Sequence, residues 1–190
     1  MRLPGNTVEL ELTLVAIARA RAVANHILNH RLLPAPIPAI LNDVPDYAIL
    51  PSVIQAAYAL RWGELELLCR HALWTWEPQL LQPLKGSQPR ILPSLPHPPD
   101  LAPMPELKNA CLSTHGRQLV GHAVARTAER HGVRINRACA NKTHLWRHLT
   151  AAAMILAGQS ELDVQRALGH FKLTSTLYYL DTIDPASLVT

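Results

Sequence analysis

The chain has no cysteine pair at close spacing, no long apolar run, no carboxylate cluster near its other chemistry-bearing residues and no internal repeat. Each absence removes a class of protein. Cys69, Cys111 and Cys139 are odd in number, widely separated and without a C-x-x-C pair, which argues against a disulfide framework and for a reducing compartment. Cys69-x-His71 and Cys111-x-x-x-His115 lack the second paired set that a structural zinc site needs. Met1-Arg2-Leu3-Pro4 opens no apolar stretch of signal-peptide type, and the run Leu12 to Ile17 is soon broken by Arg19 and Arg21. The expectation is a cytoplasmic protein with neither a signal peptide nor a membrane span.

What is present fits one core. In 190 residues, 48% are hydrophobic, which suits a globular domain whose mean hydropathy is +0.05. The net charge of +4 and pI near 9.2, with ten histidines in reserve, favour a polyanionic partner.

Apolar periodicity predicts a helix over most of residues 8–30, at Leu12, Ala16, Ala20, Val23 and Ile27. Pro34, Pro36 and Pro38 predict an extended connector up to about Asp46. Ser52-Val-Ile-Gln55 has the form of a capping box opening one helix over about 52–70. Short apolar pieces on either side of Lys85-Gly86-Ser87-Gln88-Pro89 predict two strands joined by a polar turn. Six prolines between Pro93 and Pro105 make a surface linker.

Helices are then predicted over about 114–131, ended by Gly132, and over 144–157, with Thr143 as N-cap and Gly158 just beyond. Ser160-Glu-Leu-Asp163 is a second capping box, for a short helix that Gly169 ends, and 175–180 is a further short helix. The fold class expected is mainly α with a small antiparallel β-sheet. The chain reads as one domain over 1–190: an N-terminal helix and proline-rich connector to 50, a core over 51–181 and a tail over 182–190.

Several residues sit where packing alone would not put them. Arg61 interrupts the apolar stripe Ile54, Ala57, Leu65 and Leu68, so it must be paired or used, and Glu64 three residues on is its natural partner. His144 and Arg147 have the same spacing at the start of a helix, where the dipole and unpaired N–H groups favour phosphate. His170 follows a helix-ending glycine, and Tyr178-Tyr179 lies shortly after it.

Taken in order, Leu60-Arg61-Trp-Gly-Glu64-Leu65, Lys85 in a turn, His144-Leu-Trp-Arg147-His148, Leu168-Gly169-His170 and Tyr179 resemble the catalytic domain of the tyrosine recombinases, or phage integrases. The resemblance covers about Ser52 to Asp181, and Tyr179 rather than Tyr178 has the family's distance from His170. It implies an integrase-type domain that breaks and rejoins DNA without metal, ATP or other cofactor. Tyr179 would be the nucleophile and Arg61 and Arg147 would fork the non-bridging phosphate oxygens, with Glu64 in support. His144 would assist the nucleophile, Lys85 would protonate the leaving 5′ oxygen, and His170 would hydrogen-bond the phosphate. A phenol of pKa about 10 needs such help to attack phosphorus. The partners implied are double-stranded DNA, further copies of the chain in a tetramer on DNA, and a DNA-bending accessory protein. The setting implied is bacterial and nucleoid-associated, in a mobile element.

The chain departs from the family pattern at Ala59, where glycine is common, at Leu84, which replaces a glycine before the lysine, and at Pro89 in the turn. Only about fifty residues precede the core, too few for the separate DNA-clamping domain of the family. The alternatives are a catalytically silent DNA-binding relative that regulates recombination and a type IB topoisomerase-like enzyme.

Overall fold

The structure is a computed structural model that describes residues 14–30, 33, 36–70, 78–82, 87–92, 114–135 and 142–188. Its elements in chain order are α1 (Leu14–His30), α2 (Ile37–Asp43), α3 (Asp46–Tyr58), α4 (Trp62–Arg70), β1 (Gln79–Leu81), β2 (Arg90–Leu92), α5 (Thr114–Arg130), α6 (Leu145–Leu156), α7 (Glu161–Leu168) and α8 (Leu173–Leu180). Single 3-10 turns lie at Lys142–His144 and Pro185–Leu188. The fold is mainly helical with one small antiparallel sheet, in which Gln79 faces Leu92, Leu80 faces Ile91 and Leu81 faces Arg90.

Helix α3 is the axis of the molecule. Every side chain from Ala48 to Tyr58 is buried, the mark of a helix that is packed all round. Helices α1, α2, α5 and α6 lie against it, and Ile27, Ile40, Ile54, Leu60, Leu65 and Leu149 have no exposed surface in the core they share. Burial of each such side chain contributes about 1.5–3 kcal/mol. Asp46 in the first turn of α3 complements the helix dipole and binds Arg21 of α1 at 2.5 Å.

Three expectations are corrected here. The proline connector contains α2: Pro36 is its N-cap and Pro38 falls in its first turn, where no N–H is required, so the ring's fixed φ favours the helix start. The helix expected over 52–70 is two helices, because Ala59 adopts the left-handed conformation (φ 50°) and closes α3 before α4 begins. The supposed capping box is mid-helix: Ser52 is fully buried, its hydroxyl has no partner among the described residues, and the Gln55 side chain points elsewhere. Left-handed backbone costs an alanine about 1–2 kcal/mol. Tertiary contacts hold it there, since the Ala59 carbonyl accepts Arg147 Nη1 at 2.6 Å and Arg90 Nη2 at 3.3 Å.

Smaller differences follow from local hydrogen bonding. Thr143 belongs to the 3-10 turn, and His144 is the N-cap of α6, without a side-chain capping bond. Helix α8 starts at Leu173 rather than Ser175. The box at Ser160 is present in both directions: its hydroxyl accepts the Asp163 N–H at 3.2 Å and Asp163 accepts the Ser160 N–H at 3.3 Å. Gly132, Gly158 and Gly169 all have positive φ at helix ends, as expected from sequence. The expected helix start over 8–13 and the proline linker of 93–105 lie outside the described residues.

The pair α7 and α8 docks on α6. Val164 and Leu168 are fully buried with Ala59 and Ala151 in a second, small core. Beyond α8 the chain turns back onto its own domain. Ile183 bridges Ile135, Asp184 N–H reaches the Arg134 carbonyl at 3.2 Å, and Ile183 and Leu188 enter the main core. No helix among the described residues is long and apolar enough to cross a membrane.

Candidate active site

The break between α3 and α4 presents Arg61. Its own N–H donates to Glu64 Oε2 at 2.7 Å, so Glu64, three residues into α4, satisfies the first free donor of that helix. Arg61 Nη1 lies 3.4 Å from Glu64 Oε1 and also bonds the Ser87 hydroxyl beside β2. From β2, Arg90 Nη2 reaches Glu64 Oε2 at 2.9 Å, and from α6, Arg147 Nη1 lies 3.6 Å from the same oxygen. Among the described residues, Glu64 is therefore the one carboxylate against three guanidiniums from three segments of chain. Among the described residues, two positive charges of this group stay uncompensated.

Arg147 is completely buried. Its Nη1 and Nη2 are spent on the carbonyls of Ala59 and Leu168, which end α3 and α7, so the guanidinium ties together the helix C-termini around it. Burial, then the neighbouring Arg61 and Arg90 charges, pushes its pKa down to about 9, which leaves it cationic at neutral pH. Burial likewise lowers that of Arg90.

The turn Gly169-His170 is clamped to the β2 side. Gln88 N–H donates to the Gly169 carbonyl at 2.8 Å and Ser87 bridges His170. Glycine is required at 169 for two reasons: φ is +63°, and a Cβ there would stand 3.0 Å from the Gln88 carbonyl oxygen. His170 is buried with Nδ1 3.0 Å from the Thr176 hydroxyl.

Tyr179, on α8, completes the cluster. Its ring stacks on His148 with centroids 4.0 Å apart and planes 13° from parallel, lies 4.8 Å from the His170 ring, and has Arg147 Cζ 5.5 Å from its centroid. His148 Nδ1–H donates to the Tyr179 carbonyl at 3.3 Å, which fixes both its tautomer and the end of α8. Tyr179 is thus linked to Arg61 through Arg147 and Glu64, although they are far apart in the chain. It is supplied from a docked helix of the same chain.

Among the described residues, four polar positions in this layer are buried and have no hydrogen-bond partner: Arg90 Nε and Nη1, Arg147 Nε and His170 Nε2. Unpaired donors so deep in a protein are costly unless a ligand meets them. Cationic and imidazole nitrogens of this kind suit an anion, and the ring of Tyr179 lies beside them.

His144 stands at the N-terminus of α6, partly buried, and burial followed by the Arg147, Arg61 and Arg117 charges lowers its pKa to about 4. Burial also lowers His148 to about 4 and His170 to about 3. All three imidazoles are neutral at pH 7, able to accept a proton or to donate the one they hold.

A pH dependence of stability follows. The unfolded chain takes up protons below pH 6.5, whereas folded His148 and His170 refuse them until about 4 and about 3. The unfolded state binds more protons in that window, so stability is complete above 6.5 and falls as pH drops. The slope reaches about 1.4 kcal/mol per pH unit for each histidine. Urea midpoints should therefore fall steeply between about pH 7 and about pH 5. A flat profile over that range would show that these rings are not held neutral.

The structure brings together Arg61, Glu64, Arg147, His170 and Tyr179, with His144 at the N-terminus of the same helix as Arg147. Lys85 lies outside the described residues, as do Leu84, His71 and Cys111. Sequence reasoning did not single out Arg90 or His148. Arg90 carried no signal beyond its place at the start of a predicted strand. His148 stood in plain view beside Arg147, one helical turn after His144, where its ring meets α8. Comparison with protein-family models, with curated proteins and with solved structures gives no match.

Proposed function

We propose that this chain cleaves and rejoins DNA in the manner of a tyrosine recombinase, with Tyr179 as nucleophile. The observation that carries the reading is the tyrosine ring packed against a buried guanidinium, beside a layer of buried cationic and imidazole nitrogens that have no partner among the described residues. In the reaction the Tyr179 oxygen forms a bond to a backbone phosphorus, its proton passes to a neighbouring base, and the 5′ oxygen of the next nucleotide leaves with a proton supplied to it. The product is a 3′-phosphotyrosyl bond that a 5′ hydroxyl can reverse. Arg147 and Arg61 stabilise the charge that develops on the non-bridging oxygens, and His170 Nε2 hydrogen-bonds one of them. Neutral His144 accepts a proton, while Lys85 serves as the acid by resemblance to the family. Duplex DNA is the substrate, and strand exchange between two duplexes requires several copies of the chain.

The test is an incubation with a pool of duplexes of randomised sequence, each nicked so that the cleaved 5′ end diffuses away. Wild-type protein should form a DNA adduct that survives denaturant and chelator and disappears with protease. Mass spectrometry should place the nucleotide on Tyr179. Retention of duplex without any adduct would instead support a binding protein that has lost the chemistry.

A further inference from the structure

Arg61 and His144 belong to different segments of chain, each at a helix N-terminus and each preceded by a residue whose carbonyl points inward. Leu60 precedes the first and Thr143 the second. A single buried side chain holds both carbonyls. Gln55, only 1% exposed, donates from Nε2 to the Leu60 carbonyl at 3.4 Å and to the Thr143 carbonyl at 3.2 Å. We propose that Gln55 is a positioning residue, the strut that sets the placement of Arg61 relative to His144. The inference rests on the reading of the site as a phosphoryl-transfer centre.

The chemistry at this position is specific. A primary amide carries two hydrogens on one nitrogen in a fixed plane, so it can serve two acceptors at once and define the angle between them. A leucine or methionine would leave two buried carbonyls without donors, and a carboxylate would turn oxygen toward oxygen. Backbone geometry fixes the strut at its root, because the Gln55 carbonyl itself accepts the Leu60 N–H at 3.0 Å. One turn further on, Thr150 of α6 donates to the Ala56 carbonyl at 3.1 Å, which keeps α6 in register with α3.

The turn before His144 is also held from the opposite side. A Cβ at Gly121 of α5 would stand 3.2 Å from both Thr143 Cγ2 and Thr143 N, so the helix backbone itself backs the turn. Thr143 is thus pinned between the backbone of α5 and the amide of Gln55. His144 cannot drift from Arg61 without breaking the Gln55 bond. Among the described residues the Gln55 side chain donates only to backbone carbonyls, so it acts through the residues it places.

Gln55→Met keeps length and removes both donors. In single-turnover adduct formation the rate should fall by about 10- to 100-fold, as expected when a reacting group is displaced by about 1 Å. Duplex affinity should stay within about twofold, since no phosphate contact is removed. In a His144→Ala background the same substitution should change the rate by less than about twofold, because the effect passes through His144. A merely structural role would multiply both backgrounds by one factor, and that result would overturn the proposal.

A second readout needs no activity. By NMR the His144 imidazole, held at about 4 in the folded protein, should titrate closer to 6.5 in Gln55→Met as its turn is released to solvent. An unchanged titration in the folded variant would also sink the strut, whether or not the wild type cleaves DNA. Absence of a wild-type adduct would count against the function proposed above and leave this readout standing. If Gln55→Met does not fold, hydrogen exchange of the wild-type Gln55 side-chain amide decides: both protons should be strongly protected, and rapid exchange would refute the two bonds.

Discussion

Tyr179→Phe should abolish the covalent protein–DNA adduct, a loss of roughly 10⁴-fold or more, while Tyr178→Phe should leave its rate near that of the wild type. The two residues are adjacent, yet α8 turns them to different surroundings. Tyr178 is 54% exposed, and its ring stands edge-on to Tyr179, 6.2 Å away. Tyr179 faces the cluster, stacked on His148 and beside Arg147. Phenylalanine at 179 keeps the ring, so the stack on His148 and the contact with the guanidinium remain and the fold should hold. Only the attacking oxygen is removed. The variant should still bind duplex DNA, which separates lost chemistry from lost binding. An adduct that persists in Tyr179→Phe and vanishes in Tyr178→Phe would mean that α8 rotates when DNA is bound.

Where the sequence was read correctly, a local cause was sufficient. Gly132, Gly158 and Gly169 end helices because only glycine adopts positive φ without cost, and Ser160 with Asp163 caps α7 through side chains three residues apart. Both signals lie within a few residues and need no knowledge of the remainder of the molecule. The choice of Tyr179 over Tyr178 had a different source, the resemblance to the recombinase pattern in its distance from His170.

The break at Ala59 was not legible. Nothing in Ala57-Tyr58-Ala59-Leu60 stops a helix, and the left-handed turn there is imposed by guanidiniums from residues 90 and 147 that claim the carbonyl. Ser52 and Gln55 misled in a related way. Their spacing matches a capping box, but the helix had already begun at Asp46, and Gln55 was recruited by carbonyls on either side of it. Arg90 escaped notice because its partner Glu64 lies across the fold. Long-range ionic contacts leave no periodic trace.

Those contacts converge on Glu64, whose replacement should be the most damaging to stability. Its side chain is 2% exposed and its two oxygens serve the Arg61 N–H, Arg61 Nη1 and Arg90 Nη2, with Arg147 Nη1 within 3.6 Å. Removing one partner of a buried ion pair costs about 3–5 kcal/mol, because the other charge is left without compensation. Here three cations would be left to repel one another in a poorly solvated layer, and the first turn of α4 would lose its cap. Glu64→Ala should therefore destabilise by about 3–5 kcal/mol, lowering the melting temperature by roughly 10 °C. Glu64→Gln keeps the shape and one acceptor, so it should retain the cap and still lose most of the ionic stabilisation. Calorimetry of the two variants separates the charge from the packing. Sulfate discriminates further: it should raise the melting temperature of Glu64→Gln by more than that of the wild type, because an anion bound among the uncovered guanidiniums stabilises only the folded state. Equal shifts in both proteins would reduce the effect of sulfate to general exclusion from the surface. They would also mean that the guanidiniums separate when the carboxylate is lost, and that Glu64 assembles the site as well as neutralising it.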